Sequence, residues 1–158
     1  MATYGSRSSD TASWNHRAGT GWQDPVLLLA RVLIGAIFVQ SGFGKLTGLA
    51  GFTSALEGMG VPMAPVAAIA GACVEFFGGL AIVLGAWTWL AAILVAGFTV
   101  AASFIAHRFW DVAPEQRTMQ NIQFMKNVAI TGGLLALVAA GPGRFSIDGF
   151  LHRRRSMT

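Results

Sequence analysis

Four apolar stretches of nearly bilayer-spanning length dominate the chain and leave it little choice of fold. A helix needs about 20 consecutive apolar residues to cross the hydrocarbon core. Such stretches run over about residues 25–46, 64–85, 86–107 and 119–140. Only 11% of the 158 residues are charged and 54% are hydrophobic, with mean hydropathy +0.58. A soluble domain usually carries about 25% charged residues. The sequence therefore predicts an all-α membrane protein, a four-helix transmembrane bundle, with no length to spare for a separate soluble module.

The connections refine this picture. Gly58, Gly60, Pro62 and Pro65 break the chain before the second stretch, and only Gly85-Ala86-Trp87 separates the second from the third. The second and third helices are thus expected to be antiparallel neighbours. Leu49, Phe52, Leu56 and Met59 recur at helical spacing between the first two stretches, which predicts a short interfacial helix there. Asp24-Pro25 reads as an N-cap followed by proline at the first helical position. Residues 1–24, rich in Gly, Ser and Thr without an apolar core, read as a flexible tail rather than a signal peptide. Residues 25–150 form the membrane domain and 151–158 a basic tail.

Lysine and arginine counts predict orientation. One side of a four-span bundle would hold Arg7, Arg17, Arg144, Arg153, Arg154 and Arg155, and the other Lys45, Arg108 and Arg117. Six against three places both termini in the cytoplasm. The same reading takes the arginine cluster as a topology signal beside a lipid bilayer, not as a nucleic-acid site. Trp22, Trp87, Trp89 and Trp110 fall near span ends, as an aromatic belt would.

Each stretch also carries one small or polar face. These are Arg31, Gly35, Phe38, Gly42 and Lys45 with Ser41 on the first, and Ala67, Gly71, Glu75 and Gly79 on the second. Thr99, Ser103 and His107 mark the third, and Gln120, Gln123, Asn127 and Thr131, beside Lys126, the fourth. Small residues let helix backbones approach closely in lipid, so these faces are expected to turn inward around a polar interior. Charges inside a span cost about 2.5–3.5 kcal/mol on insertion scales and usually pair. At about 1.5 Å per residue, Glu75 lies near the midplane, with Lys126 and Arg31 about equally close in depth on opposite sides. Lys45 and His107 lie at the outer helix ends, where lysines commonly reach for the interface. Depth alone leaves the partner of Glu75 open between Lys126 and Arg31. The charges read either as ion pairs that set helix register or as the walls of a pocket for a redox-active or proton-exchanging small molecule, with Glu75 the candidate catalytic group.

Several chemistries lack their parts. The single cysteine, Cys73, rules out an intrachain disulfide and a Cys-x-x-Cys exchange motif. One intramembrane histidine is too few for bis-histidine haem, and no cluster has metal-ligand spacing, so no metal site is expected. Neither a phosphate-cradling loop nor a nucleophile elbow is present. A transporter would be expected to show inverted repeats or matched broken helices, and neither is evident.

The run Arg31-Val-Leu-Ile-Gly-Ala-Ile-Phe-Val-Gln-Ser-Gly-Phe-Gly-Lys45-Leu resembles the opening of the DoxX family. Glu75-Phe-Phe-Gly-Gly-Leu, Lys126-Asn127 and the closing Gly141-Pro-Gly-Arg-Phe-Ser-Ile-Asp148 resemble its later segments, so that the likeness covers about residues 25–150. The resemblance implies a small bacterial inner-membrane protein associated with redox chemistry. The family is named for a subunit of a thiosulfate:quinone oxidoreductase, and other relatives are linked to quinone, catechol, thiol or superoxide stress. It implies a functional role for Arg31, Lys45, Glu75 and Lys126, with Asp148 as partner of Arg31. Gln40, His107 and Asn127 complete the candidate pocket. The expected occupant is a quinone or similar small hydrophobic molecule. The alternative is a non-catalytic subunit or scaffold for soluble redox or stress-response partners, and a homo-oligomer is compatible with either.

Overall fold

A computed structural model of the chain describes residues 21–155. Of the tail expected over residues 1–24, residues 1–20 lie outside the described residues, as do the last three, whereas Gln23 and Asp24 already belong to the first helix. All regular structure in the described part is helical: α1 Gln23–Thr47, α2 Leu49–Gly58, α3 Ala64–Leu84, α4 Thr88–Ala106, α5 Pro114–Ala140 and α6 Ile147–Arg155, with a single 3₁₀ turn at Phe109–Asp111. Four segments, Gln23–Thr47, Ala64–Leu84, Thr88–Asp111 and Pro114–Ala140, are long and apolar enough to cross a membrane. In lipid the backbone must satisfy its own hydrogen bonds, and continuous helices do so.

Several boundaries differ from expectation. α1 starts at Gln23, so Asp24 and Pro25 lie in its first turn and Asp24 is not its N-cap. α5 begins at Pro114 rather than near residue 119, because proline suits the first helical turn and Glu115 complements the helix dipole there. The short helix α2 forms at the expected place and buries Leu56 against Ala64 and Ala68 at the start of α3. α6, not foreseen, straddles the expected boundary between domain and tail.

The tightest seam joins α1 to α3. A Cβ on Gly42 would come within 2.4 Å of the Phe76 nitrogen, and one on Gly35 within 2.8 Å of the Gly79 carbonyl oxygen. A Cβ on Gly79 would meet the Phe38 Cβ at 2.8 Å. Backbone against backbone is therefore the contact, as small residues permit. Arg31, Gly35, Phe38 and Gly42 are buried on α1, and Gly71, Glu75 and Gly79 on α3, so both small faces turn inward as the spacing predicts. α3 packs on α4 and α4 on α5, around Ile82, Ala92, Val95 and Leu134. α5 is the loosest member: of its residues only Leu134 and Leu137 are buried, both towards its C-terminal end. Its polar half stands away from the core.

Candidate functional site

Where α5 stands away, a cavity of about 540 Å³ opens among α1, α2, α3, α4 and α5. Its wall is mostly apolar, including Ile37, Phe38, Leu56, Val74, Ile105 and Ile130. Ser41, Lys45, Glu75, Thr99, His107, Lys126 and Asn127 supply the polar groups. The cavity thus occupies the half of the bundle that carries α2.

Its central feature is an ion pair. Lys45 Nζ donates to Glu75 Oε1 at 2.5 Å. The Glu75 side chain is 6% exposed and that of Lys45 27%. The ammonium also lies 5.1 Å from the Phe52 ring centroid and 5.9 Å from that of Phe98. Cation–π attraction adds about 0.5–2 kcal/mol at such sites, more as water is excluded. Lys45 thereby ties α1 to α2, α3 and α4. Glu75 Oε2 is buried and has no hydrogen-bond partner, a state that costs free energy in a low-dielectric interior.

This pairing corrects the expected ones: Glu75 bonds neither Lys126 nor Arg31. Side chains on a helix lean toward its N-terminus. α1 and α3 are antiparallel, and Gly42 lies against Phe76. Lys45 therefore leans inward from the helix end, Glu75 leans outward from the midplane, and the two meet. Depths measured at Cα positions missed this convergence. Arg31 lies 11 residues from Gly42, about 16 Å along α1, and cannot reach. Lys126 is exposed and donates to Gln123 on its own helix. It lines the cavity with Asn127, across from the pair. His107 Nδ1 lies 2.9 Å from Gln120 Oε1, linking α4 to α5 at the cavity rim.

Two candidates fall outside the cavity. Gln40 is exposed, off the buried stripe of α1. Arg31 is fully buried at the opposite end of the bundle, where it donates to the Phe145 carbonyl, while its Nε and Nη1 have no hydrogen-bond partner. Its guanidinium fills the space a side chain at Gly85 would occupy: a Cβ there would lie 1.8 Å from Nη1.

Asp148 belongs to the same cluster without bonding Arg31 directly, although its charge offsets that of the guanidinium. Its carboxylate accepts the Trp87 N–H, the Thr88 N–H and the Thr88 hydroxyl, each at 2.9 Å, and its own N–H donates to the Gly85 carbonyl at 2.9 Å. α4 has no cap from its own N-cap residue, Trp87, which is held at φ 43°. Asp148 supplies the cap from 60 residues away. The sequence signal was the missing acid or hydroxyl ahead of Thr88. Phe98 was also missed, since a phenylalanine beside a polar stripe reads as lipid-facing.

The DoxX family model matches residues 26–108, which include Arg31, Lys45, Glu75, Phe98 and His107. The chain is 39% identical over 134 residues to inner membrane protein YqjF of Escherichia coli (strain K12), 84% of this chain and 96% of that protein. It is 38% identical over 125 residues to inner membrane protein YphA of the same organism, 78% of this chain and 89% of that protein. A Surfeit locus protein 4 homolog of Schizosaccharomyces pombe is 44% identical over 62 residues, 38% of this chain and 20% of that protein. No solved structure matches the chain.

Proposed function

The chain belongs to the DoxX family, and from that membership we propose that it is a redox-associated inner-membrane protein whose cavity holds a quinone or a similar small, largely apolar molecule. The observation that carries the reading is the Lys45–Glu75 pair set in the wall of a cavity rather than in packed protein. Binding sites are typically apolar hollows of about 300–1,000 Å³ with a few convergent polar groups. A pair that only fixed helix register would gain more from close packing, because water and voids weaken it. In this reading Lys45 and Lys126 offer donors to the oxygens of the occupant, Asn127 and His107 line its polar end, and Glu75 is the proton-exchanging group beneath it. Both termini face the cytoplasm and the cavity lies in the outer half of the bundle.

The test is ligand-dependent stability. Purified protein in detergent is unfolded thermally with increasing decylubiquinone. A ligand at 100 times its dissociation constant stabilises the folded state by about 2.7 kcal/mol, so a saturable rise in Tm is expected. The charge-neutral double variant Lys45→Met/Glu75→Leu should lose that rise. A flat response in the native chain sinks the pocket reading. The exposed arginines at the end of the chain favour the other one, a scaffold that docks soluble redox partners there.

A further inference from the structure

From the disposition of charge around α6 we propose that the outward face of this helix, with Arg144 beside it, is a binding site for anionic phospholipid headgroups of the bilayer in which the protein sits.

Among the described residues at this end of the bundle the carboxylates are Asp24 and Asp148, and both are turned inward. Asp24 Oδ1 accepts the Arg144 N–H at 2.8 Å, and its side chain is 12% exposed. Asp148 is engaged by Trp87 and Thr88 at the start of α4. The basic groups go the other way. The Arg144 side chain is 73% exposed; its Nε lies 4.0 Å from Asp24 Oδ2, at the edge of ion-pair range, so the rest of the guanidinium faces outward. Arg154 is exposed and stacks on the Phe150 ring, 4.6 Å from its centroid. Arg153 reaches back to the Arg144 carbonyl at 3.0 Å and so fixes the helix against the preceding loop.

The apolar residues then distinguish lipid from a soluble partner. Ile147, Phe150 and Leu151 are spaced by three and four and are all exposed, as is Phe145. Asp148 and Gly149, on the opposite side of the helix, are the residues that touch the protein. The outward face is therefore a short apolar stripe with Arg154 in its middle. α6 follows the end of α5 and is pinned to the turn between α3 and α4, at the level of the exposed Trp87 and Trp89. Indoles favour the headgroup boundary. A helix lying there sinks its apolar stripe into the acyl boundary and lifts its cations to the phosphates. A docking site for an acidic soluble protein would instead raise its cations above the membrane and would not place three apolar side chains between them.

Native mass spectrometry of the full chain, released from mixed micelles with equimolar phosphatidylglycerol and phosphatidylcholine, tests the site. Each basic residue near the surface favours acidic lipid by roughly fivefold, less as salt rises. The expected result is preferential retention of phosphatidylglycerol, on the order of tenfold, falling as salt rises. Arg144→Gln/Arg154→Gln should abolish the preference, Arg144→Lys/Arg154→Lys should keep much of it, and Arg108→Gln/Arg117→Gln at the far end should leave it intact. All of these side chains are at least partly exposed, so each variant is expected to fold. Equal retention of the two lipids overturns the proposal and returns the arginines to a soluble partner. Equal loss of preference in the far-end variant also overturns it, because the effect would then be net charge and not a site. Failure of quinone binding would leave this result untouched.

Discussion

Gly85 is a single residue on which two unrelated constraints fall. Its φ of 68° favours glycine, and the Arg31 guanidinium already stands where a side chain would begin. Gly85→Ala is expected to destabilise the bundle by several kcal/mol, by overpacking combined with backbone strain. Thermal unfolding in detergent would measure it, and adding Arg31→Met should recover part of the loss, since the two residues share one space. Additive losses would show that the guanidinium is not the obstacle. The ion pair is open to the same treatment. Removing one partner of a buried pair costs about 3–5 kcal/mol, and the partial exposure of Lys45 places this one near the low end. A double-mutant cycle on Lys45→Met and Glu75→Gln should show strong coupling, whereas Lys126→Met and Glu75→Gln should be nearly additive. At this scale the sequence was legible in kind but not in pairing. The buried stripe of Arg31, Gly35, Phe38 and Gly42 could be read from spacing alone. The partner of Glu75 could not, because it depends on antiparallel register and on the direction in which side chains lean.

Among the elements, the seam of α1 with α3 sets that register. Gly42→Val would press a branched side chain into the Phe76 backbone, which cannot give way as a flexible side chain would. The variant should lose stability by at least about 1–3 kcal/mol and should also weaken Lys45–Glu75 coupling in the cycle above. Gly44, whose Cβ would meet nothing within 4 Å, is the control: Gly44→Ala should be neutral or slightly stabilising. Unchanged coupling in Gly42→Val would mean that the pair forms independently of the seam. Spans are the most legible elements because hydropathy over about 20 residues is a strong signal. The extension of α5 to Pro114 was missed because its first turn is polar and lies outside the apolar window. α6 was missed for a different reason. Its nine residues include a glycine, an aspartate and three arginines, too short and too polar to show a period, and its place is fixed by Asp148 and Arg31 rather than by its own propensity.

Taken as a whole, the molecule is held at its two ends by different means: by Lys45 and Glu75 beside the cavity, and by Arg31, Asp148 and Gly85 at the end that carries α6. The second set joins α1, the α3–α4 turn and the segment after α5, which lie far apart in the chain. That has a consequence for biosynthesis. During translation α1 emerges first, with Arg31 inside its span, yet the Phe145 carbonyl that receives the guanidinium is made more than 110 residues later. Until then the arginine must turn to the membrane surface or to water, and α4 lacks its distant cap. The bundle should therefore remain loosely joined until Asp148 has emerged from the ribosome's exit tunnel. Arrested chains carrying a long C-terminal spacer should resist protease like the finished protein, and arrested chains without one should not. Equal resistance of both would show that the final segment fastens a bundle already formed.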